Sequence, residues 1–157
     1  MSIKRVKPSK ASGYVQGYYK PVNPEKYVGP MPIIYRSSWE RKFMIYCDSK
    51  VEIVSWSSEP VEIKYWYSVD NREHTYNPDF YMKTEVNGKF TEYLVEIKPE
   101  SHLIKPTPPT KNTKKALENY KYIVEQYVKN RDKYVAAKAW AEDRKWKFIV
   151  LTEKSLK

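Results

Sequence analysis

The spacing of apolar residues changes several times along the chain, and each change marks an element. Up to residue 30 no period is sustained. Lys, Ser, Gly and Pro alternate, and Pro21, Pro24, Pro30 and Pro32 interrupt the backbone, so residues 1–30 predict an arm without a regular element. From Ser37 the pattern turns helical. Trp39, Phe43 and Tyr46 recur at helix spacing, Met44 and Cys47 widen the apolar face, and Ser37 or Ser38 is placed to cap the N-terminus. Four strand-type runs follow, Val51 to Trp56, Val61 to Val69, Thr75 to Lys83 and Phe90 to Lys98. Glu59-Pro60, Asp70-Asn71 and Asn87-Gly88 are the turn signals between them. Residues 99–113 contain Pro99, Pro106, Pro108 and Pro109 and predict a loop. Leu117, Tyr120, Val124, Tyr127 and Val128 then trace an amphipathic helix. A second helical stretch runs through Tyr134, Ala137, Trp140 and Ala141, with Asn130 as a break, and Phe148 to Leu151 predicts a closing strand. This order predicts an α+β domain over residues 31–157, a mixed sheet flanked by helices, behind the arm of residues 1–30.

Composition narrows the function. The chain has 157 residues, of which 41% are apolar, enough for one core, and 31% charged. Its longest apolar run is far shorter than the roughly 20 residues a membrane span needs, and the basic N-terminus lacks the apolar segment of an export signal. A single cysteine, Cys47, forms no internal disulfide, and His74 and His102 are too few to build a Cys/His zinc site with it. Any metal should therefore have oxygen ligands. The four glycines form no phosphate-cradling loop.

The charge is unevenly placed. Residues 1–30 carry six basic side chains and one acid; residues 31–100 carry nine basic and twelve acidic; residues 101–157 carry fourteen basic and six acidic. Two cationic flanks around a mildly acidic centre suit a polyanion held from both sides with carboxylates presented between, although such flanks also serve as plain solvated surface. In the arm, Lys4, Arg5, Lys7 and Lys10 supply charge. Tyr14, Tyr18 and Tyr19 suit either stacking on bases or docking onto protein.

Two segments carry candidate chemistry, Tyr76-Asn77-Pro78-Asp79-Phe80-Tyr81 and Leu94-Val95-Glu96-Ile97-Lys98-Pro99. Side chains alternate faces along a strand, so Glu96 and Lys98 share one face while Val95 and Ile97 take the other. Asp79 faces Glu96 if the two strands are neighbours. Carboxylates about 4 Å apart repel by roughly 4 kcal/mol at an effective dielectric near 20, which a shared proton or a bound cation must offset. With oxygen ligands alone the cation is hard, Mg²⁺ or Mn²⁺. An exposed Glu–Lys pair across a sheet needs no such role.

Asp79, Glu96 and Lys98 match the signature of the PD-(D/E)xK nuclease superfamily. More narrowly, Tyr35-Arg36-Ser37-Ser38-Trp39-Glu40-Arg41-Lys42-Phe43, Ser58-Glu59-Pro60, Tyr76-Asn77-Pro78-Asp79-Phe80 and Val95-Glu96-Ile97-Lys98-Pro99, in that order, resemble the endonuclease domain of TnsA-type transposases. The chain also resembles the head-completion nucleases of large myovirus bacteriophages. The resemblance covers about residues 31–155. It implies a restriction-endonuclease-like fold and Mg²⁺- or Mn²⁺-dependent hydrolysis of DNA, leaving a 5′-phosphate and a 3′-hydroxyl. It also implies Lys98 as the catalytic lysine and a metal shell of Asp79, Glu96, the backbone carbonyl of Ile97 and the helix-borne Glu40. Glu59 stands where these relatives commonly have Gln, as an extra acid near the site or as a turn residue. Implied partners are DNA and phage head, portal or neck proteins, and the implied locations are host cytoplasm and virion. Two rival readings share these residues: a non-enzymatic virion component that binds DNA ends, and a transposase endonuclease subunit, for whose partner-binding domain the chain has little room. His74 reads as a bystander, and Trp56, Trp66, Trp140 and Trp146 as core or edge aromatics. Cys47 reads as a small buried hydrophobe.

Overall fold

The computed structural model describes residues 16–156. Lys4, Arg5, Lys7, Lys10 and Tyr14 lie outside the described residues. In chain order the elements are β1 (Gly17–Tyr19), β2 (Ile33–Tyr35), α1 (Ser38–Ser49), β3 (Ile53–Ser58), β4 (Ile63–Tyr67), β5 (Arg72–Tyr76), β6 (Phe80–Val86), β7 (Lys89–Ile97), α2 (Lys114–Asp143) and β8 (Lys147–Leu151). Single 3-10 turns lie at Pro24–Lys26 and Glu100–Leu103.

A mixed four-stranded sheet, ordered β3-β6-β7-β8, forms the centre. Asn87 and Gly88 both adopt positive φ, 52° and 77°, and the tight turn they make joins β6 to β7 as an antiparallel hairpin. β8 pairs with β7 in parallel, which requires a crossover, and the proline-rich segment with α2 provides it. β4 and β5 form a separate hairpin whose Ile63, Tyr65 and Tyr67 are buried while Lys64 and Trp66 face water. The short β1–β2 pair precedes α1.

β7 divides the interior. Val95 and Ile97 join the side packed by α1, with Phe43, Met44, Cys47, Trp56 and Phe80. Leu94, on the opposite face, joins Tyr65, Tyr67, Tyr76, Ala137 and Ala141, the contact between the β4–β5 hairpin and α2. Ser37 caps α1, its Oγ accepting the Glu40 N–H at 3.1 Å. The Phe43 ring lies 4.7 Å from that of Phe80, and burying a phenyl group of this kind contributes roughly 1.5–3 kcal/mol, so Phe43→Ala is the single change that most directly loosens α1 from the sheet.

Four features depart from the sequence pattern. The run Thr75 to Lys83 is divided: Tyr76 ends β5, Phe80 opens β6, and buried Pro78, which lacks an N–H, stands in the connection. The two stretches expected on either side of Asn130 form one helix, since Asn lowers helix propensity only modestly and Val128 before it and Ala137 after it pack against the same cluster. Tyr46 is 40% exposed although it follows the α1 period. Residues 16–30, expected to lack a regular element, contain β1 upstream of the first proline and a 3-10 turn with Pro24 at its first position, where a missing N–H does no harm.

That segment is clasped to the fold by Asp48, which is 2% exposed. Its carboxylate accepts the Tyr19 hydroxyl (2.7 Å) and the N–H groups of Val22 (2.7 Å) and Asn23 (2.9 Å). The Asn23 amide and the Lys26 ammonium donate to the Asp48 carbonyl at the end of α1, at 2.9 and 3.1 Å. Burial alone would raise the Asp48 pKa, but these donors outweigh it and hold the carboxyl below the usual range. Tyr19 is thus a docking residue, whereas Tyr18 is 58% exposed.

Candidate active site

The acids assemble where β6 and β7 begin and end together. Phe80 pairs with Val95 in the antiparallel register, so Asp79, one residue before β6, enters beside Glu96. Backbone contacts on both sides hold it there: Oδ2 accepts the Ile97 N–H at 2.8 Å, and its carbonyl accepts the Glu59 N–H at 2.8 Å. Glu59 takes a left-handed conformation, φ 47°, to make that contact.

Glu96 is 5% exposed and points to the α2 face. The Tyr76 hydroxyl donates to its Oε2, and the Lys98 ammonium lies 3.6 Å from Oε1. The Lys98 backbone is fixed from the far side, its N–H donating to the Leu151 carbonyl of β8 at 2.9 Å. Asp79, Glu96 and Lys98 therefore come together in one place, across a strand pair and its parallel neighbour.

Glu40 and Glu59 are held differently. Glu40 lies in the first turn of α1, where Oε2 accepts at 2.7 Å the N–H of Arg36, the residue before the N-cap Ser37. Glu59 pairs with the Arg36 guanidinium, Nε to Oε1 3.5 Å. Glu40 lies in the field of Glu96, but no group of three or more His, Cys, Asp or Glu side chains is close enough to form a metal cluster among the described residues.

The electrostatics are those of a crowded carboxylate site. Burial, then the charges of Glu96 and Glu40, pushes Asp79 well above the usual carboxylate range. Burial also raises Glu96, opposed by Lys98, the Tyr76 hydroxyl and Lys133; it raises Glu40 too, opposed by Arg36. Lys133, on α2, has its pKa lowered by burial and by Lys98, and its ammonium lies 5.3 Å from the centre of the Tyr76 ring.

Tyr76, Lys133 and Tyr134 are the neighbours that the sequence pattern does not single out. One signal was available for Lys133. It stands one turn before Ala137, two before Ala141, both fully buried, so a lysine occupies the packing face of α2. His74 pairs with Asp70 at 2.6 Å. Cys47 is buried with its thiol pKa raised by burial.

A mixed sheet between helices, presenting two repelling carboxylates and a lysine on neighbouring strands, defines the class of restriction-endonuclease-like nucleases. Residues 50–153 match the family described as TnsA-like endonuclease N terminal, and the chain belongs to that family. It is thus a nuclease, with DNA as its substrate. Asp79, Glu96 and Lys98 fall inside the matched region and Glu40 outside it. A relative named head completion nuclease, from Enterobacteria phage T4, is 35% identical over 142 residues, covering 90% of this chain and 93% of the relative.

Proposed function

We propose that the chain is a divalent-cation-dependent deoxyribonuclease that cleaves or trims phage DNA as heads are completed, in the host cytoplasm and in the virion. The observation that carries this reading is the convergence of Asp79, Glu96 and Lys98. The residues fit a hard cation. Their donors are all oxygen, and the repulsion that lifts the Asp79 pKa is what a divalent charge relieves. Asp79, Glu96 and the Ile97 carbonyl would hold it, with Glu40 as the further acid from α1. A bound Mg²⁺ or Mn²⁺ supplies Lewis-acid polarisation of the phosphoryl group and a lowered pKa for water.

The protein's own groups do the rest. Lys98, carrying positive charge beside Glu96, orients the attacking water and screens the negative charge that builds on the phosphoryl oxygens. Tyr76 fixes the Glu96 carboxylate through its hydroxyl. Water adds to phosphorus as the bond to the 3′ oxygen breaks; that oxygen leaves as the hydroxyl and the phosphate stays on the 5′ side. Residues 31–157 act as the catalytic domain. The basic residues of 101–157 and of the arm, residues 1–30, grip the DNA backbone, so binding is salt-sensitive and weakly sequence-selective. Head, portal or neck proteins are the protein partners of such a role.

The test is cleavage of linear, circular and branched DNA with Mg²⁺ or Mn²⁺ by the wild type and by Asp79→Ala and Lys98→Ala proteins shown to be folded. Cation-dependent cutting lost in both variants supports the reading. Intact DNA binding without cutting on any substrate overturns it in favour of an end-binding structural component.

A further inference from the structure

A cavity of about 340 Å³ opens between α2, β8 and the 3-10 turn that follows Lys98, and no step above uses it. Its walls are aromatic, Tyr127, Tyr134 and Phe148, and its rim is polar and cationic, Asn130, Arg131 and Lys138. The helical members recur on successive turns of one face of α2. The Tyr134 and Phe148 rings are 5.7 Å apart at a tilt of 41°, and the Arg131 guanidinium donates to the Tyr127 hydroxyl at 3.2 Å.

Tyr134 connects the cavity to the acids. Its hydroxyl is shut off from solvent and has no hydrogen-bond partner in the protein. Phe148 pairs with Leu94, two residues before Glu96 on the same strand, so the cavity lies on the sheet face that carries this acid, and Tyr134, which lines it, feels the charges of Glu96 and Asp79.

Resting on the nuclease reading above, we propose that this cavity takes one unstacked nucleobase of the DNA strand whose phosphodiester lies at Asp79 and Glu96. The volume lies within the roughly 300–1,000 Å³ of small-ligand pockets. Aromatic walls stack any base, the Asn130 amide offers a donor and an acceptor to its edge, and Arg131 and Lys138 face the phosphates on either side. A base reaches such walls only after leaving the helical stack, so the enzyme favours frayed ends, flaps and single-stranded junctions over intact duplex.

The test is an anisotropy titration of the full chain, without divalent cation, against a forked duplex in which one abasic residue is moved along each strand. Cleavage of the same DNAs with Mg²⁺ is followed in parallel. In the wild type one abasic position near the fork should weaken binding about tenfold. Tyr127→Ala should show that loss on intact DNA and no further loss at that position, the signature of a shared contact. Asn130→Ala, which removes the amide offered to the base edge, serves in the same way if Tyr127→Ala does not fold. A flat abasic scan, or losses that simply multiply, overturns the base subsite. Since the scan needs no cutting, a flat scan with normal cleavage removes the subsite alone, and position-dependent binding without cleavage removes the nuclease reading alone.

Discussion

Asp79→Asn should make the cation-free protein more stable while removing its activity. The substitution keeps an oxygen to accept the Ile97 N–H and removes only the charge. Neighbouring carboxylates repel by a few kcal/mol at an effective dielectric near 20, and Lys98 offsets part of this for Asp79, leaving a gain of about 1–2 kcal/mol. For a chain of this size that is about 2–8 °C in Tm. The pH dependence has a definite sign. A carboxyl whose folded pKa lies above its unfolded value binds its proton more tightly when folded. The wild type therefore loses stability as pH rises from the ordinary carboxylate range through the raised value, and the variant's advantage should vanish below about pH 4. Scanning fluorimetry at a series of pH values, with and without Mg²⁺, reads all three effects. Mg²⁺ should stabilise the wild type and leave Asp79→Asn unmoved. A variant that melts lower than the wild type at neutral pH, or that responds equally to Mg²⁺, would refute the argument that charge crowding defines the site.

Tyr76→Phe strips the buried Glu96 carboxylate of its hydroxyl donor; it should cost about 1.5–3 kcal/mol in urea melts and lower the cleavage rate with little change in DNA affinity. Asp48→Asn should flatten the acid limb of the stability curve. The contribution of Asp48 is present above the ordinary carboxylate range and is lost as pH falls through its depressed folded value, so wild type and variant should converge in chemical denaturation toward low pH and separate above about pH 4.

The local elements were legible wherever the pattern was both periodic and punctuated. Ser37 before Trp39 and Phe43 marks α1, and Asn87-Gly88 marks the β6–β7 turn, because each signal acts through the backbone of its own neighbours. The meeting of Asp79 with Glu96 and Lys98 was legible from alternation and a neighbour assumption. What was not legible depends on distant contacts. Tyr76 reaches Glu96 only because β5 ends where Pro78 turns the chain, and Lys133 reaches the acids only because α2 crosses back over the hairpin. The clasp of Tyr19, Val22 and Asn23 on Asp48 joins residues more than twenty positions apart, beyond any local period. The double duty of Glu40, which accepts the Arg36 N–H and lies in the field of Glu96, was also hidden, since Ser-x-x-Glu reads equally well as a cap or as a ligand segment.

The parallel pairing of β8 with β7 also sets a clock on synthesis. Until the ribosome has delivered Leu151, the backbone of Lys98 has no acceptor and β7 is an open edge beside two repelling acids. A nascent chain that has already made Asp79, Glu96 and Lys98 therefore still lacks the strand that holds them in register. The constellation of Asp79, Glu96 and Lys98 is thus completed late, only after the cationic helix that precedes β8 has emerged.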